Sequence, residues 1–269
     1  MDIDVDENNC EALIFYREKR MNFNGKVAMV TGSASGMGAA TVREFTASGA
    51  HVVIVDLNDL QANKLAARIG AQPAIVGDVS DSAFCSRAVK LTLERHGRLD
   101  ILVNCAGIIY RANALGTSDE NWRRVMAVNV DGVFFMSRAA LVPMKKQGSG
   151  AIINFGSIWG GVGAAGVAAY CASKGAVHNL TRAMALDHAK DGIRINAVCP
   201  GEVNTPMLAS GRPSPPTAEE LKKLGETMVP MGRLADPAEI ARVVLFLASD
   251  AASYMTGSLV TVDAGYTAR

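Results

Sequence analysis

Seven short apolar runs rich in Val and Ile recur along this chain, separated by longer segments with helical periodicity. They are KVAMVT (26–31), HVVIVD (51–56), PAIVGD (73–78), LDILVN (99–104), GAIINFGS (150–157), RINAVCP (194–200) and GSLVTVD (257–263). Segments such as MGAATVREFTASG (37–49) and PAEIARVVLFLAS (237–249) place apolar residues at helical spacing. Successive side chains of a strand point to opposite faces, so a strand that is apolar almost throughout must be covered on both. Helices linking parallel strands provide that cover. The pattern therefore predicts an α/β fold, one doubly wound domain built on a seven-stranded parallel sheet with helices on both faces. A length of 269 residues with 49% hydrophobic content suits one such domain. Only SGRPSPPTAEE (210–220) reads as a mobile excursion.

The domain is expected over residues 25–269, with 1–24 as an N-terminal extension. MNFNGKVAMVTG, from Met21, reads as a natural start, and every motif described below lies beyond Gly25. Within the extension, Asn8 or Asn9 could cap a short helix carrying Ala12, Leu13, Phe15 and Tyr16. MDIDVDENNC is acidic and no long apolar run follows it, so neither a secretory signal nor a membrane span is expected. A net charge of +1 gives no reason to expect nucleic acid or an anionic membrane as partner. The five cysteines, at 10, 85, 105, 171 and 199, form no CxxC pair, which fits a reducing cytoplasm better than a disulfide framework. His51, His96, His178 and His188 form no close cluster, and no catalytic metal is expected.

The first strand runs straight into TGSASGMG (31–38), whose glycines at 32, 36 and 38 precede a helix. Glycine allows a tight turn and a close backbone approach to a pyrophosphate, whose charge the helix N-terminus stabilises. Ser35 and Met37 belong to the same turn. The second strand ends at Asp56, twenty residues after Gly36. A carboxylate there can accept hydrogen bonds from the adenosine ribose, which points to NAD, because a 2′-phosphate would meet a like charge. Neither Leu57 nor Asn58 supplies a cation for that phosphate. Asp78 and Val79 end the third run, with Asp78 placed to bind the adenine amino group, and Asn104, Ala106 and Gly107 follow the fourth, both at the sheet edge where a doubly wound fold holds its ligand.

YCASK (170–174) sets a phenol four residues before a lysine, which puts both on one helical face. Small residues between them let a ligand approach. Ser157, just past the fifth strand, and Asn129, inside a helical pattern spanning 118–145, can converge on the same place.

These motifs together resemble the short-chain dehydrogenase/reductase family, of the classical type, over residues 25–265. The resemblance is carried by TGSASGMG, NCAG (104–107), Asn129, Ser157, YCASK and PGEVNT (200–205), with Ser157 thirteen positions before Tyr170. It implies a Rossmann fold, a nicotinamide cofactor, catalysis by Ser157, Tyr170 and Lys174 completed by Asn129, and a homotetramer. Tyr170 would then be the acid/base for interconverting a ketone and a secondary alcohol. Its pKa, ordinarily about 10, is expected to fall beside Lys174 and the positively charged oxidised nicotinamide. In such enzymes the lysine also binds the nicotinamide ribose, the serine holds the substrate oxygen, and the asparagine positions a water leading from the lysine to solvent. Pro200, Gly201, Val203 and Thr205 join the cofactor-binding residues. The one departure is Cys105, where NNAG is usual, expected to affect support of the sheet more than cofactor contact.

The leading expectation is an NAD(H)-dependent alcohol dehydrogenase or carbonyl reductase. A non-catalytic nucleotide-sensing protein would show a broken Ser–Tyr–Lys set. An extended-branch epimerase or dehydratase would show TGxxGxxG spacing and a longer C-terminal domain. A 3-oxoacyl carrier-protein reductase would prefer NADP and carry arginines near Val142 and Leu186, positions that are apolar here. For the substrate, Trp159, Ile109, Tyr110, Val167, Met207 and Met228 are candidate pocket walls, with Ser157 and Tyr170 at the reacting carbon and Glu202 as the nearby charge. Such a pocket suits a small or medium ketone or secondary alcohol.

Overall fold

The computed structural model describes residues 21–268 apart from Pro213. Seven strands form one all-parallel sheet: β1 (Val27–Thr31), β2 (His51–Asp56), β3 (Ile75–Val76), β4 (Ile101–Asn104), β5 (Gly150–Phe155), β6 (Ile193–Pro200) and β7 (Leu259–Val262). Their order across the sheet is β3-β2-β1-β4-β5-β6-β7, a Rossmann arrangement. The order reverses between β1 and β4, which pair in register from Ala28–Ile101 to Thr31–Asn104. At their carboxyl ends the flanking connections leave on opposite faces and a crevice opens.

The apolar runs are used on both faces. Ala28 and Val30 of β1, with Val52 and Ile54 of β2, pack into one core layer with helices α1 (Gly36–Ala47), α2 (Asp59–Ile69) and α8 (Pro237–Ala248). Val27, Met29, Val53 and Val55 face the other, with α3 (Ser82–His96), α5 (Gly132–Gln147) and α6 (Ala168–His188). A strand pattern without alternation is the signature of such double burial. Among the described residues the remaining α-helices are α4 (Asp119–Met126) and α7 (Ala218–Met228).

Three local departures from the sequence expectations have physical causes. The third run shrinks to two residues because Pro73 has no N–H to donate, while the Ala74 N–H goes to Asn63 Oδ1 at 3.0 Å instead of a ladder. The helical pattern over 118–145 is interrupted by a π turn, Ala127–Asp131, between α4 and α5, and Asn129 lies buried in it. Phe23, on the extension side of the boundary drawn before Gly25, is in the core, edge-on to Phe45 with ring centroids 5.0 Å apart. The helix proposed after Asn8 or Asn9 lies outside the described residues. By length and mean hydropathy (1.5) the stretch Asp119–Gln147 could cross a membrane. In this fold it instead carries Asn129 into the crevice and buries Met136, Ala140 and Met144 among β4, β5 and α3.

Candidate active site

The crevice begins where β1 ends. Gly32 has φ +62°, and a Cβ on it would sit 2.6 Å from the Ala106 Cα, so only glycine lets the two turns touch. Thr31 Oγ1 accepts the amides of Cys105 and Ala106, each at 3.1 Å, which pins the turn after β4 to the end of β1. Ser35 caps α1 with extended backbone but makes no side-chain capping bond, so its hydroxyl and the first amides of α1 remain available to a ligand.

A groove of about 360 Å³ runs from there, lined by Gly32, Ser35, Gly36, Met37 and Gly38 of the first turn. Asp56, Leu57, Asp78 and Val79 line its far end, and Ala106, Gly107 and Thr205 the near one. Asp56 accepts the Ala34 amide through Oδ2 and the Asn58 amide through Oδ1, both at 2.8 Å. The glycine cradle, the uncapped helix start and the strand-end carboxylate fit a dinucleotide: phosphates at α1, a ribose at Asp56.

A second chamber, of about 230 Å³, adjoins the groove and shares Met37, Thr205 and Met207 with it. Ser157 and Tyr170 form one wall. Ser157 leaves β5 into a short 3-10 turn (Ile158–Gly160), its Oγ accepting the Trp159 amide at 3.2 Å and its N–H directed at His178 Nε2 at 3.4 Å. Tyr170 lies near the start of α6, buried, on the same wall as Ser157 and edge-on to Trp159 with ring centroids 6.1 Å apart. One helical turn on, Lys174 is also buried; its Nζ donates to the Phe155 carbonyl at 2.7 Å and stands 5.5 Å from the centre of the Tyr170 ring. Asn129 Oδ1 accepts the Ile108 amide at 2.8 Å, and Nδ2 donates to the Ile108 carbonyl and to Ser173 Oγ, both at 2.9 Å. The π turn is thereby tied both to the loop after β4 and to α6. A Cβ on Gly107 would lie 3.3 Å from Asn129 Oδ1 and 3.7 Å from Lys174 Nζ, so this glycine borders both residues.

Burial governs the titration of this set. The phenol of Tyr170 is pushed up to about 12 by loss of solvation, with the neighbouring Ser157 hydroxyl opposing. Loss of solvation also brings Lys174 down to about 8. The expected fall in the tyrosine pKa is therefore not a property of these side chains alone. Desolvation outweighs the opposing effect of Ser157, and the Lys174 ammonium is engaged by Phe155 O.

A family model described as enoyl-(acyl carrier protein) reductase matches residues 32–267. Meso-2,3-butanediol dehydrogenase of Serratia marcescens is 44% identical over 250 residues, 92% of this chain and 97% of that protein. Galactitol 2-dehydrogenase (L-tagatose-forming) of Cereibacter sphaeroides is 46% identical, over 91% and 96%. A solved structure with NADP bound at low occupancy, described as an NAD(P)-dependent gluconate 5-dehydrogenase from Beutenbergia cavernae, superposes with a TM-score of 0.85 at 37% identity, covering 93% of this chain and all of that one. The chain belongs to the short-chain dehydrogenase/reductase family.

As a short-chain dehydrogenase/reductase it is an oxidoreductase, and its site differs in several places from the sequence expectations. Asn104 does not reach the groove. It is buried behind it, donating to Ser137 Oγ and Asn154 Oδ1, both at 2.9 Å, because it is the last residue of β4 and points into the layer beneath α5. Cys105, expected to matter for the sheet, packs against the core layer and also lines the groove. Pro200, Gly201 and Val203 line the second chamber rather than the groove, whereas Thr205 lines both. Of the proposed walls, Trp159, Ile109, Met207 and Glu202 line that chamber; Tyr110, Val167 and Met228 do not.

Sequence reasoning missed Thr31, His178, Arg111 and Arg212. Thr31 was visible as the residue opening the glycine turn. The arginines gave no local signal: one lies on the loop after β4 and the other in the 210–220 excursion, and only folding brings both to the chamber. Glu202 is thus not the sole charge there.

Proposed function

We propose that this oxidoreductase interconverts a secondary alcohol and a ketone with NAD(H), with Tyr170 as the acid/base. One observation carries the reading: Ser157 and Tyr170 share one wall of a small chamber that opens beside a dinucleotide-shaped groove. The cofactor, when bound, supplies or removes the hydride. The groove residues hold it through Gly32–Gly38 and Asp56. Ser157 positions the substrate oxygen; Tyr170 passes a proton to or from it; Lys174 orients the phenol and adds positive charge on its buried side. Alcohol dehydrogenases among the relatives support the reaction class.

Asp56 favours NAD over NADP. Arg124, on α4 with Ala127 and Val128 beyond it, is the groove's one Lys or Arg among the described residues. Val142 and Leu186 are solvent-exposed apolar side chains, which supports a small-molecule substrate over an acidic carrier protein. Together with the exposed Trp122 and Phe134 they are the kind of surface a homotetramer would cover, with no membrane or nucleic acid needed and a cytoplasmic setting. The test follows absorbance at 340 nm with NAD and NADP against 2,3-butanediol, cyclopentanol, galactitol and a 3-hydroxyacyl thioester, alongside light scattering for mass. Turnover of a secondary alcohol supports the reading. Cofactor binding with no turnover of any alcohol, or activity confined to the thioester, overturns it.

A further inference from the structure

The chamber beside Tyr170 holds charge that hydride and proton transfer do not use. Arg111, on the loop after β4, and Arg212, on the segment before α7, both line it with Glu202. Arg111 is anchored by Nε to the Ser210 carbonyl at 3.0 Å, which ties the two loops together and leaves its terminal nitrogens without a hydrogen-bond partner among the described residues. Glu202 comes within 4.0 Å of neither guanidinium. Burial pushes the Glu202 carboxyl above its ordinary range even though both arginines pull it down. Burial also pushes Arg111 down, reinforced by Arg212 and opposed by Glu202.

Among the lining side chains, two cations and one carboxylate leave an excess of one positive charge, with Glu220 acting on the exposed Arg212 from outside; the chamber's other walls include Trp159, Met207, Leu208 and Leu224. A cation partly withdrawn from water is stabilised by a paired anion, and a guanidinium fork matches the two oxygens of a carboxylate or sulfonate. We infer that the substrate carries a single anionic head group, carboxylate or sulfonate, held by Arg111 and Arg212, while its carbinol or carbonyl carbon faces Ser157 and Tyr170. The substrate class is therefore a small hydroxy acid and its oxo partner. A neutral polyol is the competing occupant; it would leave the excess charge uncompensated. The inference rests on the alcohol–ketone reading above.

The experiment compares matched ketones that differ in charge. Reduction of acetoacetate is measured against acetoacetamide, and of 2-oxopropanesulfonate against its sulfonamide, in wild type, Arg111→Gln and Arg212→Gln. The wild type is expected to prefer the anion in at least one pair by tenfold or more in kcat/KM, and the pair showing it distinguishes carboxylate from sulfonate. Each variant should lower that anion-to-amide ratio by about tenfold, chiefly through KM, the scale of a charge-assisted hydrogen bond. The ratio is read on one enzyme preparation, so partial loss of folded protein leaves it unaltered. Ratios near one in wild type, or unchanged in both variants, overturn the inference. If neutral ketones are reduced without preference for an anion, the alcohol–ketone reading stands and this one falls. No turnover of any ketone, with NADH still bound, removes both.

Discussion

Asp56 is where the choice between NAD and NADP can be tested against a competing structural role. Its two oxygens already serve the chain, one accepting the Ala34 amide and the other the Asn58 amide, each at 2.8 Å. Each carboxylate oxygen can accept more than one hydrogen bond, so ribose hydroxyls can be received without breaking these contacts. Asp56→Asn keeps the shape, leaves one acceptor oxygen and sets an amide NH₂ against the other backbone N–H. A bond to a charged acceptor is worth about 1.5–3 kcal/mol and a neutral one about 0.5–1.5, so each ribose bond weakens by about 1–1.5 kcal/mol. That is about five- to tenfold in NAD affinity per bond, while NADP is relieved of a like charge beside its phosphate. Wild type is expected to favour NAD by at least tenfold in kcat/KM, and Asp56→Asn to erase about tenfold of the preference. Adding Leu57→Arg, at a groove-lining position 69% exposed, should move the preference toward NADP by supplying a phosphate partner. Initial rates and fluorescence titrations with NADH and NADPH, with thermal unfolding alongside, measure both roles. Equal use of the cofactors by wild type, or an Asp56→Asn variant that melts earlier with its preference unchanged, would show that the carboxylate serves only the two backbone amides.

Other substitutions separate chemistry from scaffold. Tyr170→Phe keeps the packing against Trp159 and removes the hydroxyl; turnover should fall about 10²–10⁴-fold with NADH affinity nearly intact, and a rate within threefold of wild type refutes the acid/base role. Gly32→Ala must hold a left-handed backbone, costing about 1–2 kcal/mol, and push against Ala106, so cofactor binding and the melting temperature should drop together; calorimetry showing neither change would contradict the close approach of the two turns. Lys174, held at about 8 when folded against an ordinary 10.5, is bound to fewer protons in the folded than in the unfolded chain between those pH values. Its contribution to stability therefore rises with pH across that window, and the melting temperature of wild type minus that of Lys174→Met should climb from pH 8 to 10. Tyr170, raised to about 12, has the opposite sign, so wild type minus Tyr170→Phe should lose stability above pH 10; flat differences in both windows would show that neither group is buried as described.

Much of the site could be read from the chain because the motifs sit where strands end. A parallel strand that must be apolar on both faces announces itself without alternation, and its carboxyl end is the place where polar and glycine residues gather. TGSASGMG, Asp56, Asp78, Ser157 and YCASK therefore all lie at or next to the crevice. Residue identity did not reveal side-chain direction. Asn104 ends its strand like Asp56, yet its amide turns into the layer beneath α5, where Ser137 and Asn154 receive it. Asn129 looked like one residue of a long helix, and the π turn that aims it at Ile108 has no signature in the 118–145 pattern.

Apolar runs interleaved with helical segments, the glycine turn and the Tyr–Lys spacing determined the doubly wound sheet, the crevice at its edge and the placing of Tyr170 and Lys174 on one helical face, since each is set by local periodicity or by contacts within one βα unit. The tertiary structure alone decided the charges that line the second chamber and their balance. Arg111 and Arg212 lie about a hundred residues apart on two loops, joined where Arg111 donates to the Ser210 carbonyl. It also decided that Tyr170 and Lys174 are shifted by burial more than by each other. Desolvation depends on everything packed around a group, and no stretch of sequence contains that information.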